Sequence, residues 1–478
     1  MTRRTKIVAT LGPASDTPDK LDALLSAGVD VVRLNLSHGP IEEHLVRLRA
    51  VRESAERVGR VVAVLADLPG PKVRAGRFPD GGSLLIEGSC ITLVAGEGPS
   101  DHDVISVDYP SLADDVDPGD RVVLGDGALC LRVEEVLDDR VRCVVDTGGR
   151  AQGRPGVHLP SERFRLSAPT PDDLVLARAV ADAGADYIAV SFVRRGADIE
   201  AVRAVIAPHR SQLVAKIETS GAIACLEEIA SVSDAIMVAR GDLGIECALE
   251  DVPHLQKRII RHCVETGVPV ITATQMLESM IHAPAPTRAE VSDVANAVFD
   301  GTDAVMLSAE TAIGADPPLV IETMSRIAER AEREADYRQW ASRLGRVQRH
   351  HSAGATDPVT WAITHAAWQA ANELDVEAIV CCTRSGRTVR AMARFRPTAA
   401  LLGMSPDPET VRSLALVWGV TPLKVDTYST TDELVWFTVE SAAQAGLVDT
   451  GDVVLVLAGA PDRPGDAATD VLRIVTMQ

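Results

Sequence analysis

The sequence predicts an α/β chain: a (β/α)8 TIM barrel, an all-β lid domain inserted after its third strand, and a C-terminal α/β domain. Three observations predict it. Eight short, near-continuously apolar runs alternate with helical patterns over the first two thirds of the chain, which is how strands buried on both faces of a parallel sheet read. Between the third and fourth runs that rhythm stops, and Gly, Pro and Asp interrupt short alternating stretches. At 478 residues the chain also exceeds one hydrophobic core, since cores stop growing near about 250–300 residues.

The eight runs are 5–12, 29–37, 61–68, 185–192, 212–218, 234–240, 269–275 and 303–310. Helices with legible ends lie between them. Asp16-Thr17-Pro18 opens one that stops at Gly28, and Thr170-Pro171-Asp172 opens another that stops at Gly184. Eight strand–helix units in series fit a closed barrel better than an open doubly wound sheet, which usually has fewer strands and a Gly-rich first turn. The barrel is assigned to residues 1–70 and 169–340, and the lid, with strands such as 121–124 and 141–145, to 71–168. An insertion into a βα loop sits over the catalytic face of this fold. A helix from Pro317 to about Tyr337 and a polar, basic stretch lead to a separate domain at 355–478, with strands at 377–383, 399–405, 423–425, 453–458 and 471–476.

A net charge of −20 argues against nucleic acid or an anionic membrane as partner, because both require a basic face. An anionic ligand must therefore be held by a few placed cations. The eight cysteines form no C-x-x-C pair and most lie in apolar runs, so buried free thiols in a reducing compartment are expected. The doublet Cys381-Cys382 reads as core packing, and His350-His351 as solvated linker. No signal-like apolar stretch follows the basic start, and no uninterrupted apolar run of membrane-spanning length, about 18 residues, occurs. The expected location is cytoplasmic.

Active sites on this fold are built from strand C-termini, and those ends are unusually polar here. Arg33, Asn35 and Ser37 close the second strand, Asp67 the third, Lys216 and Glu218 the fifth, Thr274 and Gln275 the seventh, Ser308 and Glu310 the eighth. Strand alternation points Lys216 and Glu218 inward and Ile217 outward; a catalytic cation beside its carboxylate and a structural ion pair are equally good readings of that pair alone. At the end of the sixth strand, Gly241-Asp242-Leu243-Gly244 sets an aspartate between glycines at a strand-to-helix turn. Free backbone N–H groups at such a turn suit an anion, and Asp242 offers an oxygen to a hard cation, unless it is simply an N-cap. Glu218 and Asp242 together suit Mg²⁺ shared with a substrate. P-loop, complete Rossmann, nucleophile-elbow and H-E-x-x-H motifs are all missing.

Read in order, Arg33-Leu34-Asn35-Leu36-Ser37-His38-Gly39, Asp67-Leu68-Pro69-Gly70-Pro71-Lys72-Val73-Arg74, Lys216-Ile217-Glu218 and Ala273-Thr274-Gln275-Met276-Leu277-Glu278-Ser279-Met280 resemble pyruvate kinase. So do the stretches 5–15, 237–246 and 306–311, and the resemblance covers the whole chain. It implies Mg²⁺-dependent transfer of a phosphoryl group from phosphoenolpyruvate to ADP, giving pyruvate and ATP, the last step of glycolysis. By the same resemblance Arg33 holds the phosphoryl group, and Lys216 faces the charge between phosphoryl and enolate. Glu218 and Asp242 bind Mg²⁺, with Mn²⁺ as an alternative. Gly241, Asp242 and Thr274 receive the substrate carboxylate, while Thr274 and Ser308 serve proton delivery. Asn35, Ser37, His38 and Arg74 touch the nucleotide. Asn35, Ser37 and Asp67 form a remnant monovalent-cation site.

Further expectations concern regulation and departures from the family pattern. Where potassium-dependent members resemble one another in a glutamate, this chain has Lys72, which implies activity without added potassium. Where the family often has a lysine in the lid, Pro155 stands here, with Arg154 before it. Thr383, Arg384, Ser385, Gly386, Arg387 and Thr388 leave a strand for a helix and are expected to bind a phosphorylated effector. The implied assembly is a homotetramer. Two other classes are weighed: a Mg²⁺-dependent aldolase or lyase, which needs neither Arg74 nor the insertion, and a non-catalytic sensor, which needs no intact Lys216, Glu218, Asp242 and Thr274 set.

Overall fold

The computed structural model describes residues 3–125, 127, 129–159, 166–335, 358–428, 430–459 and 469–477. Its barrel strands are β1 (Lys6–Thr10), β2 (Val31–Asn35), β3 (Ala63–Asp67), β4 (Tyr187–Val190), β5 (Gln212–Ile217), β6 (Ala235–Ala239), β7 (Val270–Ala273) and β8 (Ala304–Leu307). Each lies inside one of the eight predicted runs. Neighbours pair in parallel, and β1 closes on β8. The runs overshoot mainly at their C-terminal ends, where the chain leaves the ladder: Thr274 and Gln275 take left-handed conformations with φ of 69° and 55°, so β7 stops at Ala273.

Two layers of core hold the barrel. Inward side chains such as Leu65, Tyr187, Met237 and Met306 fill its interior, and Ala415 and Leu416 of the C-terminal domain pack into the same cluster. Ile217 belongs to the outer layer, between strands and helices, as the alternation beside Lys216 and Glu218 requires.

At the opposite end from the polar strand termini, one arrangement repeats four times. Asp30, Asp186, Asp234 and Asp303 precede or open β2, β4, β6 and β8. Each donates its amide to the carbonyl of Ile7, Val64, Leu213 or Val270 on the preceding odd strand. In return each Oδ2 accepts that residue's amide, at 2.8, 2.7, 2.9 and 3.0 Å. An arginine then ties each carboxylate: Arg3, Arg52, Arg203 and Arg396. The same guanidinium donates to the carbonyl two residues before the aspartate, on Gly28, Gly184, Val232 and Gly301. Strand starts leave backbone donors that burial would orphan, and a carboxylate that satisfies them needs a cation of its own. Three of the arginines come from the barrel. The fourth, Arg396, comes from the C-terminal domain.

The inserted domain folds around its own core of Phe78, Ile91, Leu93, Leu131 and Val133. Its main sheet has six strands, with Arg121–Leu124, Leu129–Leu137 and Arg140–Thr147 as an antiparallel series. The C-terminal sheet runs in the order Val420–Lys424, Ala400–Ser405, Ala378–Cys382, Val453–Ala458 and Val471–Thr476, the last antiparallel. The edge strand expected at 423–425 begins earlier, at Val420, because the sheet edge tolerates Pro422.

Of the two helices with predicted caps, Pro171–Asp182 has a full capping box between Thr170 and Asp173. Pro18–Ser26 has Thr17 at the N-cap without a side-chain bond. The helix after β8 spans Pro317–Glu334; Tyr337, Pro160 and His350-His351 lie outside the described residues. Cys381 and Cys382 are buried in a core strand and Cys130, Cys143 and Cys263 are buried too, whereas Cys225 and Cys247 are partly buried and Cys90 is exposed. No described helix is long and apolar enough to cross a membrane.

Candidate active site

The polar strand ends converge at one mouth of the barrel. Arg33, at the end of β2, donates Nε–H to Asp67 Oδ2 at 2.7 Å and Nη1–H to Thr10 Oγ1 at 3.0 Å. Lys216 lies beside them: its Nζ is 2.7 Å from Glu218 Oε1, 2.7 Å from Ser191 Oγ and 3.3 Å from Asp67 Oδ1. Glu218 Oε2 accepts the Phe192 amide at 2.6 Å. Arg33, Asp67 and Glu218 are all buried, so each charge depends on its neighbours rather than on water.

The electrostatics follow from that packing. Burial opposes the Lys216 ammonium, but Asp67, Glu218 and Asp242 outweigh it and hold the group above its ordinary value. Burial likewise acts against the Asp67 carboxylate, and Lys216 and Arg33 overcome it, holding Asp67 low. Glu218 is pushed up by burial, against the pull of Lys216 and with Asp242 adding to the rise. The cluster thus keeps a protonated lysine and an ionised Asp67 side by side.

Asp242 is the third residue of the helix Arg240–Glu246, whose N-cap is Ala239; the N-cap reading of Asp242 is corrected. The Gly241 N–H is not free either, since it donates to Thr274 Oγ1 at 2.9 Å. Thr274 Oγ1 donates in turn to the Ala273 carbonyl at 2.7 Å. Ser308 follows β8 and donates its amide to Glu310 Oε2 at 2.7 Å, while Glu310 Oε1 accepts from the Leu277 amide. Glu310 therefore knits two loops together and offers little to a ligand.

On the β2 side, Asn35 Oδ1 accepts the Ser37 amide at 3.2 Å, and His38 is exposed. Partial burial first, then Lys72, Arg74 and Arg33, hold His38 below its ordinary value. Lys72 is solvent-exposed by surface area, yet it sits close enough to the mouth to feel Lys216, Arg74, Asp67 and Asp242, and partial burial pulls it down. Arg154 turns elsewhere, toward Asp108 at 3.8 Å and the Ala75 carbonyl.

Three residues escaped the sequence reading. Ser191 follows β4 and links Lys216 to the Leu68 carbonyl; its place just past a strand end was the available signal. Thr10 orients Arg33 from β1. Arg240 donates to the carbonyls of Ala273, Thr274 and Gln275 and pairs with Asp293 at 2.7 Å, anchoring the turn that carries Thr274.

Two family models match the chain: the pyruvate kinase barrel domain over residues 2–321 and the pyruvate kinase alpha/beta domain over residues 361–475. The chain belongs to the pyruvate kinase family. It is 44% identical to a pyruvate kinase of Geobacillus stearothermophilus over 96% of this chain and 78% of that protein. It is 43% identical to one of Methylorubrum extorquens over 99% and 97%, and 41% identical to one of Mycobacterium tuberculosis over 96% and 96%. Pyruvate kinases are phosphotransferases that move the phosphoryl group of phosphoenolpyruvate to ADP in glycolysis and use Mg²⁺. That is the activity of this chain.

The residues present fit the metal. Glu218 is a buried carboxylate, Asp242 makes no side-chain hydrogen bond or ion pair among the described residues, and Asp67 Oδ1 accepts no aligned hydrogen bond. Hard oxygen donors with open lone pairs are what Mg²⁺ takes when it shares its shell with a phosphorylated substrate.

The 383–388 segment is a closed turn. Thr383 Oγ1 accepts the Gly386 amide at 2.8 Å, Gly386 has φ of 81°, and Thr388 Oγ1 lies 2.6 Å from Thr469 Oγ1. Both threonine hydroxyls are thus committed to the protein. Arg384 and Ser385 instead line a cleft of about 750 Å³ between the barrel and the C-terminal domain, together with Arg203, His209 and Arg412.

Proposed function

We propose that Lys216 and Arg33 are the cations that carry phosphoryl transfer in this chain. The observation behind the assignment is the Lys216 ammonium fixed between Ser191, Asp67 and Glu218 at the strand ends, with Arg33 anchored on the same Asp67. Phosphoryl transfer is mostly positioning and charge stabilisation, so two preorganised cations in a dry mouth suit it better than a nucleophile. Arg33 holds the phosphoryl group, and Lys216 faces the oxygen on which the enolate charge develops. Glu218 and Asp242 would hold Mg²⁺, with Mn²⁺ as a substitute, and when bound it would supply charge neutralisation to the reacting phosphoryl group.

Gly241, Asp242 and Thr274 receive the substrate carboxylate, which takes over the Gly241 N–H that otherwise donates to Thr274 Oγ1 at 2.9 Å. Thr274 and Ser308, on adjacent strands, deliver the proton to the enolate carbon. Asn35, Ser37, His38 and Arg74 face the nucleotide. Asn35, Ser37 and Asp67 are the remnant of a monovalent-cation site, and Lys72 supplies its charge in place of potassium, so no added potassium is required. Regulation enters through the C-terminal domain: a phosphorylated effector binds at the 383–388 segment, with Arg384 and Ser385 facing the interdomain cleft. The working form is a cytoplasmic homotetramer. A coupled assay for pyruvate from phosphoenolpyruvate, ADP and Mg²⁺ tests the reading, and pyruvate formation that persists undiminished without ADP would refute it.

A further inference from the structure

Arg394 caps the C-terminus of the helix Arg387–Ala393 and is 4% exposed, yet neither its Nε nor its Nη2 has a hydrogen-bond partner. Its guanidinium lies 4.9 Å from the Phe395 ring. Burial pulls it below its ordinary value, and no acidic side chain opposes that pull. Two residues on, Arg396 is 2% exposed. It spends Nη1 on Asp303 and Nη2 on the Gly301 carbonyl, and its Nε is also without a partner. Both arginines, with Arg390, border a cavity of about 10 Å³ whose far wall is the 263–269 turn of the barrel.

The charge in this wall does not balance. Among the described residues Asp303 is the one carboxylate lining the cavity, and Arg396 already pairs with it at 2.9 Å. A buried cation left uncompensated costs several kcal/mol, and a ring face or a neutral water recovers only part of that. The narrow space between these side chains favours a compact anion over phosphate, sulfate or a free carboxylate. We propose that the cavity binds a single monatomic anion, chloride, between the Arg394 and Arg396 guanidinium groups, bridging the C-terminal domain to the barrel.

The test uses full-length protein crystallised from sodium gluconate and soaked in sodium bromide, with data collected at the bromine edge. An anomalous peak in contact with Arg394 and Arg396 is expected. In parallel, the melting temperature in chloride should exceed that in gluconate at equal ionic strength by at least about 2 °C and rise with the logarithm of chloride concentration. That difference should vanish in Arg394→Gln. An empty or water-filled cavity overturns the proposal, as does a carboxylate from another part of the chain or from a second copy in its place. A bromide peak with no chloride-dependent melting shift means an adventitious ion only and overturns it too. Should Arg394→Gln not fold, wild-type diffraction together with the wild-type melting comparison decides.

Discussion

Replacing Arg396 with methionine removes the guanidinium, supplied by the C-terminal domain, that ties Asp303; the same domain also sends Arg412 to Asp186 at 2.8 Å, but there Arg52 remains as a second cation. Arg396 and Asp303 side chains are 1% and 9% exposed and 2.9 Å apart. After the change Asp303 keeps the Val270 amide at 3.0 Å and the Trp418 amide at 3.3 Å but loses its cation. Removing one partner of a buried ion pair typically costs about 3–5 kcal/mol, while methionine retains part of the packing over Trp418. The expected loss is therefore about 3–4 kcal/mol, read as a lower urea midpoint with unchanged slope. Arg203→Met is the comparison, because its pair with Asp234 is 39% and 24% exposed and exposed pairs contribute at most about 1 kcal/mol. If Arg396→Met costs no more than Arg203→Met, burial is not what sets the worth of these clusters.

Lys216→Met should lose stability, since Asp67 and Glu218 are left without a buried cation, and the folded fraction should lose at least about 10²–10³ in kcat, the usual worth of one preorganised group facing the transition state; activity within threefold of wild type would remove Lys216 from the mechanism. Potassium titrated into enzyme dialysed against tetramethylammonium should leave turnover flat, because a potassium ion beside the Lys72 ammonium would be repelled. Lys72→Glu should become potassium-dependent, and a tenfold rise in the wild type would refute the idea. Chelation should abolish activity, Mg²⁺ should restore it, and Asp242→Ala should raise the half-saturating Mg²⁺ at least about tenfold through loss of a hard ligand. Ser385→Asp should blunt activation by any phosphometabolite that shifts the phosphoenolpyruvate saturation curve, by setting a carboxylate against its phosphate.

Much of the architecture was legible because burial on both faces leaves a plain apolar signature, and all eight barrel strands fall inside the predicted runs. The inward pair Lys216 and Glu218 was legible for the same reason, since strand alternation settles direction. What sequence periodicity cannot carry is contact across elements. Gly28-Val29-Asp30, Gly184-Ala185-Asp186 and Gly301-Thr302-Asp303 show a repeated G-x-D before a strand, but their arginines come from an N-terminal segment, a helix and another domain. Ser191 and Arg240 were passed over likewise: each acts on a residue from a different strand. The free N–H expected at Gly241 was misjudged because the Thr274 hydroxyl that claims it lies 33 positions along the chain.

The turn after β7 carries a cost that, among the described residues of the barrel, only Phe192 after β4 shares, and it carries it twice in succession. Thr274 is β-branched and Gln275 is not glycine, yet both sit in the left-handed region, where each such residue forfeits about 1–3 kcal/mol. Arg240, gripping three successive carbonyls of that turn, is what makes the conformation affordable. A chain selected only for thermal endurance would drift toward glycine at position 275, where the side chain brings no hydroxyl. Thr274 in that region gives up stability for a fixed hydroxyl direction, held between the Gly241 N–H and the Ala273 carbonyl.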